Sequence, residues 1–166
     1  MTVRGLEITG DVFCGILAAI HIYIFVLETF LWRSRAAKGF NLSQTVVDYS
    51  AGLAANQGFY NLLLAVGLIW SLAEQAPLTK IFFLSAIFTA GLFGFITASV
   101  RILFVQVIPS FLALIFVNFG YFPNLNNWSN WRHPLWTLMI IVGAGLITMA
   151  LAFLIKKKLL NTNQQV

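Results

Sequence analysis

Between Ile81 and Val117 the chain runs for 37 residues with Arg101 as its only charge. A single helix of that length would measure roughly 55 Å at 1.5 Å per residue, against a hydrocarbon core of about 30 Å, so the run has to fold back on itself. Arg101 marks the turn, because a guanidinium is costly among lipid tails and sits readily at a boundary. This stretch alone requires a membrane protein and supplies two spans, about 81–100 and 102–118.

Three more apolar runs complete the pattern, at about 12–32, 51–73 and 134–155. The first is followed by Arg33, Arg35 and Lys38, and we expect it to be retained as a span because no basic n-region or small-residue cleavage site accompanies it. Glu74, Gln75 and Pro77 end the second. Pro134 is expected to open the last at a helical position where its missing N–H costs nothing, and Lys156, Lys157 and Lys158 close it. Apolar residues make up 60% of the chain and charged ones 9%, against about half and a quarter in soluble domains, which leaves no room for a soluble domain. The expectation is an all-α, polytopic transmembrane bundle of five spans, one domain over residues 1–166, in a bacterial plasma membrane.

Five spans put the termini on opposite sides. With the N-terminus outside, the inner side carries Arg33, Arg35, Lys38, Arg101 and the three C-terminal lysines, and the outer side carries Arg4, Lys80 and Arg132. That bias favours a cytoplasmic C-terminus. The segment from Asn118 to His133 reads as an interfacial loop rich in Asn and aromatic residues, with Trp128, Trp131 and Trp136 as a belt. The net charge of +5 does not indicate nucleic acid, because the basic residues are scattered or flank the spans. Cys14 has no partner for an internal disulfide and reads as a packed small hydrophobe.

The polar residues inside the spans are the functional signal. Cys14, His21 and Glu28 recur every seven residues on one helical face, with Asp11 near its outer end. Asn56 with Tyr60 and Gln57 with Asn61 form i, i+4 pairs on the second span. Counted from the inner ends, Glu28, Asn56, Gln57 and Gln106 share a depth of roughly 6 to 9 Å, with His21 and Asn61 nearer mid-membrane. Unpaired polar groups are expensive in lipid, so these residues are expected to meet in a polar cavity. Arg101 is expected at its mouth as a charge partner for Glu28. The bland alternatives are an interfacial ion pair for Glu28, one backbone hydrogen bond for His21, and helix–helix glue for the amides.

Ala86, Ala90, Gly94 and Ala98 place small residues at every fourth position of the third span. This is a close-packing face, within the bundle or between copies of the chain in a homo-oligomer or larger complex. No phosphate loop, dinucleotide glycine pattern or metal-ligand spacing occurs, and no cofactor or metal is expected.

Several segments resemble a small bacterial membrane family of unknown function. They are the run from His21 to Trp32, the Asn56-Gln57-Gly58-Phe59-Tyr60-Asn61 stretch, Ala90-Gly91-Leu92-Phe93-Gly94, and Arg101 to Gln106. The resemblance covers roughly residues 7 to 117 and implies a fold class without an activity. Three functions stay open: binding or transport of a small or lipid-like ligand among the membrane lipids, acid–base catalysis by Glu28 and His21 on an apolar substrate, or an accessory subunit.

Overall fold

Thr2 begins the first helix by accepting a hydrogen bond from the Gly5 N–H on its side-chain oxygen, which satisfies one of the orphan donors of a helix start. The computed structural model describes residues 2–36, 39, 42–122 and 128–163. Lys38 and residues 123–127 of the Asn-rich connection, both used in the sequence reading, lie outside them. The described residues are helical, without strands.

Helix α1 spans Val3–Thr29 and α2 spans Gln44–Ala73. Helix α3 spans Pro77–Thr97. Helix α4 is Ile108–Tyr121, entered through a π-helical turn at Leu103–Val107, and α5 is Trp128–Asn163. Four of these segments, Val3–Thr29, Gln44–Ala73, Pro77–Thr97 and Leu103–Tyr121, are long and apolar enough to cross a membrane. Among the described residues of α5, the stretch Ile141–Ile155 is apolar.

Several boundaries differ from the sequence reading, each for a local reason. Helix α2 starts seven residues before position 51, because Ser43 caps it and Gln44 bonds the Asp48 carboxylate one turn on. The 118–133 segment is not a continuous loop. Asn118 bonds its amide back to the Leu114 carbonyl and is absorbed into α4, and residues 128–133 belong to α5. Pro134 therefore lies inside α5, where one missing N–H is tolerated in an otherwise regular helix.

The long apolar run does divide at Arg101. Pro109 has no N–H to donate and its ring crowds the preceding turn, which accounts for the widened turn just before it. In that turn the Ile108 N–H reaches back to the Leu103 carbonyl.

Helices α1 to α4 form a closed ring, with α1 and α3 each packed against both α2 and α4, and α5 lies outside against α3. Cys14, Leu17, Leu68, Leu84, Ile87, Ala113, Leu114 and Val117 fill the ring's centre. Two glycines set the close contacts of α1 with its neighbours. A Cβ on Gly120 would fall 2.7 Å from the Glu7 backbone nitrogen, and one on Gly58 would fall 2.5 Å from Thr29 Oγ1. Glycine is thus needed on α4 at one end of α1 and on α2 at the other, much as small residues let helices approach in membranes generally.

Candidate intramembrane site

Gly58 fixes which side of α2 meets α1. Ala54, Gly58, Asn61, Ala65 and Leu68 recur at four- and three-residue spacing and form the facing seam. Asn61 enters it beside Glu28, and its Nδ2 donates to Glu28 Oε2 at 3.0 Å and to the Gln57 carbonyl at 3.1 Å. Asn56 and Tyr60 stand roughly 160° around the helix from Gly58 at 100° per residue, so they point outward and are exposed. They do not join Glu28. Gln57 faces a different groove, between α2, α3 and α5.

A cavity of about 410 Å³ adjoins Glu28. Glu28, Asn61, Arg101 and Gln106 line it together with Arg35, while Tyr23, Ile24, Leu27, Ile102 and Val105 supply apolar walls. The two arginines come from the connections that close this end of the ring. Arg101 donates from Nη1 to the Gly39 carbonyl at 3.2 Å and so ties the α3–α4 connection to the α1–α2 connection. The expected pairing of Glu28 with Arg101 is replaced by the Glu28–Asn61 bond: both charges line the cavity, and the carboxylate takes its hydrogen bond from an amide.

His21 lies behind this cavity, fully buried in the ring. Its Nδ1 is 2.8 Å from the Leu17 carbonyl, which only accepts, so Nδ1 carries the proton. Nε2 then accepts from the Gln106 side-chain nitrogen at 3.1 Å. Gln106 sits in the π-helical turn and spans the distance from the cavity wall to the histidine. Among the described residues, no group of three His, Cys, Asp or Glu side chains is arranged to hold a metal ion.

The sequence reading did not identify the cluster at the opposite end of the ring. Lys80, treated there as a boundary charge, is fully buried. Its Nζ donates to Asp11 Oδ1 at 2.6 Å and to the Tyr121 hydroxyl at 2.6 Å. That hydroxyl lies 3.0 Å from Asp11 Oδ2 and 2.9 Å from Gln75 Oε1. Gln75 has a positive φ of 48° and closes α2 as a Schellman turn, with its own N–H on the Leu72 carbonyl and the Ala76 N–H on the Ser71 carbonyl. Glycine would be the easier residue there, and glutamine adds the amide that bonds Leu72 and Tyr121. The one sequence signal for this cluster was Asp11, on the same α1 face as Cys14 and His21.

A family described as a protein of unknown function, DUF1304, matches residues 15–118, which contain Glu28, Asn61, Arg101 and Gln106. The chain is 31% identical over 106 residues to the uncharacterized protein YpaA of Lactococcus lactis, an alignment covering 60% of this chain and 88% of that protein. No solved structure matches.

Proposed function

The chain belongs to the DUF1304 family of unknown function, and we propose that its activity is to bind a lipid-like amphiphile, for transfer or sequestration, in the cavity beside Glu28. The observation that carries this reading is a carboxylate and two guanidiniums lining one cavity while the carboxylate is hydrogen-bonded to Asn61 and not to an arginine. Charges arranged this way remain available to a guest. A headgroup with a phosphate and an amine or hydroxyl would meet Arg35 and Arg101 with the first and Glu28 with Asn61 and Gln106 with the second. The apolar walls would take the start of its chains.

Acid–base catalysis would need two exchanging groups in contact with substrate. His21 is fully buried, and both its nitrogens are occupied, by Leu17 and Gln106. Glu28 is left as the cavity's titratable acid, which favours binding. Membrane topology belongs to the same proposal: the chain is a multi-pass protein of a bacterial plasma membrane, with α5 as a fifth crossing and the N-terminus outside. The bias of Lys and Arg toward the side carrying Arg33, Arg35, Arg101 and the C-terminal lysines supports that orientation.

Native mass spectrometry of the full chain from nanodiscs with equal phosphatidylethanolamine and phosphatidylglycerol tests the proposal. The wild type should retain phosphatidylethanolamine selectively, Glu28→Gln should lose the selectivity, and Arg101→Ala should retain less of either lipid. Equal retention of both lipids by all three proteins would remove the headgroup site.

A further inference from the structure

The second groove, between α2, α3 and α5, has a volume of about 630 Å³, within the usual range for small-molecule sites. Its floor is the small-residue face of α3, where Ala86, Ala90 and Gly94 leave space one turn apart. Ser85 also lines it, is only 6% exposed, and has a hydroxyl without a hydrogen-bond partner. Several other helical hydroxyls bond back to a carbonyl of their own helix, as Thr89 does to Ser85, Ser71 to Leu68 and Ser110 to Gln106, whereas those of Ser85 and of Thr29 at the end of α1 do not. Ser85 departs from that habit, and a buried unpaired hydroxyl costs free energy until something accepts from it. Thr148, also buried, brings a second hydroxyl to the groove from the α5 side.

Depth limits what the acceptor is. Ser85 is the ninth residue of α3, roughly 12 Å from one end and 18 Å from the other, and so lies near the middle of a hydrocarbon core about 30 Å thick. The acyl chains of bulk phospholipid carry no polar atom at that depth, so they would fill the groove and leave Ser85 unpaired. A molecule that takes a carbonyl into the core does both. We propose that this groove is a second binding site, for a lipid-soluble ring compound of the quinone type. One carbonyl accepts from Ser85 Oγ, the other faces Thr148, and the ring lies over Ala86 and Ala90 alongside Phe82 and Phe93. The two hydroxyls reach the groove from different helices, α3 and α5, so each can meet one carbonyl of a ring that carries two.

The test uses the full chain in nanodiscs, decylubiquinone as probe and decylbenzene as its carbonyl-free counterpart, with equilibrium binding read by native mass spectrometry. Decylubiquinone should bind at least tenfold tighter than decylbenzene. Ser85→Ala removes a hydroxyl that has no partner to lose, so the fold is kept; it should weaken decylubiquinone about fivefold and leave decylbenzene unchanged. Ala90→Phe, at an exposed position, should fill the groove and abolish binding of both probes. Glu28→Gln should change neither, which separates this site from the headgroup cavity. Equal binding of the two probes, or an undiminished affinity in Ser85→Ala, overturns the proposal. So does a wild-type dimer that Ala90→Phe dissociates in the absence of quinone binding, since the groove would then belong to a second copy.

Discussion

The two ends of the four-helix ring solve the same problem in opposite ways. At the Lys80 end, side chains from α1, α3, α4 and the α2–α3 turn hydrogen-bond one another around a fully buried ammonium. At the Glu28 end, a half-buried carboxylate has an amide partner and an adjoining cavity with two guanidiniums on its wall. Low dielectric makes a completed polar network rigid and an uncompleted one costly. The first arrangement is a structural joint. The second has the form of a site waiting for a guest, and the contrast supports that reading better than either cluster alone.

The largest effect expected from this contrast is at the joint. Lys80→Met strands the Asp11 carboxylate among helices and should cost about 3–5 kcal/mol, seen as loss of folded protein in a denaturant titration of the reconstituted chain. Replacing both partners, Lys80→Met with Asp11→Leu, should recover most of the loss, because the apolar pair leaves no buried charge. A stable single variant would break the comparison by showing that this cluster is as loosely coupled as the other. Next in size is Tyr121→Phe, which removes the hydroxyl shared by Lys80, Asp11 and Gln75 and should cost about 1–3 kcal/mol in the same titration.

The Glu28 end should behave differently. Glu28→Gln keeps an acceptor for Asn61, so its stability should change by less than about 1 kcal/mol. Its phosphatidylethanolamine affinity should fall about tenfold, which corresponds to about 1.4 kcal/mol. A stability loss as large as that of Lys80→Met would sharpen the comparison in the other direction, making Glu28 a second structural joint.

What the sequence disclosed follows from the same physics. Apolar run length exposed helices long and apolar enough to cross a membrane, and the turn at Arg101, since both depend only on local composition. Counting residues along separate helices put Glu28, Asn56, Gln57 and Gln106 at one depth, with Asn61 nearer mid-membrane and Arg101 at the mouth; of these, Glu28, Asn61, Arg101 and Gln106 line one cavity, and Gln57 faces the other groove. Asn56 and Tyr60 escaped that argument because depth is one coordinate and helical phase another, and the phase of α2 is set by Gly58 against α1. The Lys80 cluster was out of reach for a different reason: Lys80 and Asp11 are 69 residues apart, and their pairing exists only once α1 and α3 share a ring. Charge at a span boundary looks the same in sequence whether it faces water or a buried partner.

The smallest expected effect is at the rim, where it tests whether burial is the variable that matters. Arg33 Nε lies 3.4 Å from Asp48 Oδ1, an ion pair between the segments after α1 and at the start of α2, with both side chains more than half exposed. Water screens such a pair, and holding two long side chains in one geometry costs entropy, so exposed pairs contribute at most about 1 kcal/mol. Asp48→Asn also retains an acceptor for the Gln44 amide, which bonds both carboxylate oxygens. Its stability should therefore fall by no more than about 0.5 kcal/mol at low salt, and the difference should vanish as ionic strength rises and the Debye length shortens. The same salt titration should change the cost of Lys80→Met far less, because Lys80 is fully buried and its Asp11 partner only a quarter exposed, so ions screen that pair weakly. If the rim substitution instead cost as much as the buried one, and did so at high salt, then position along the helix rather than burial would govern these charges, and the distinction between the closed and the open end of the ring would lose its physical basis.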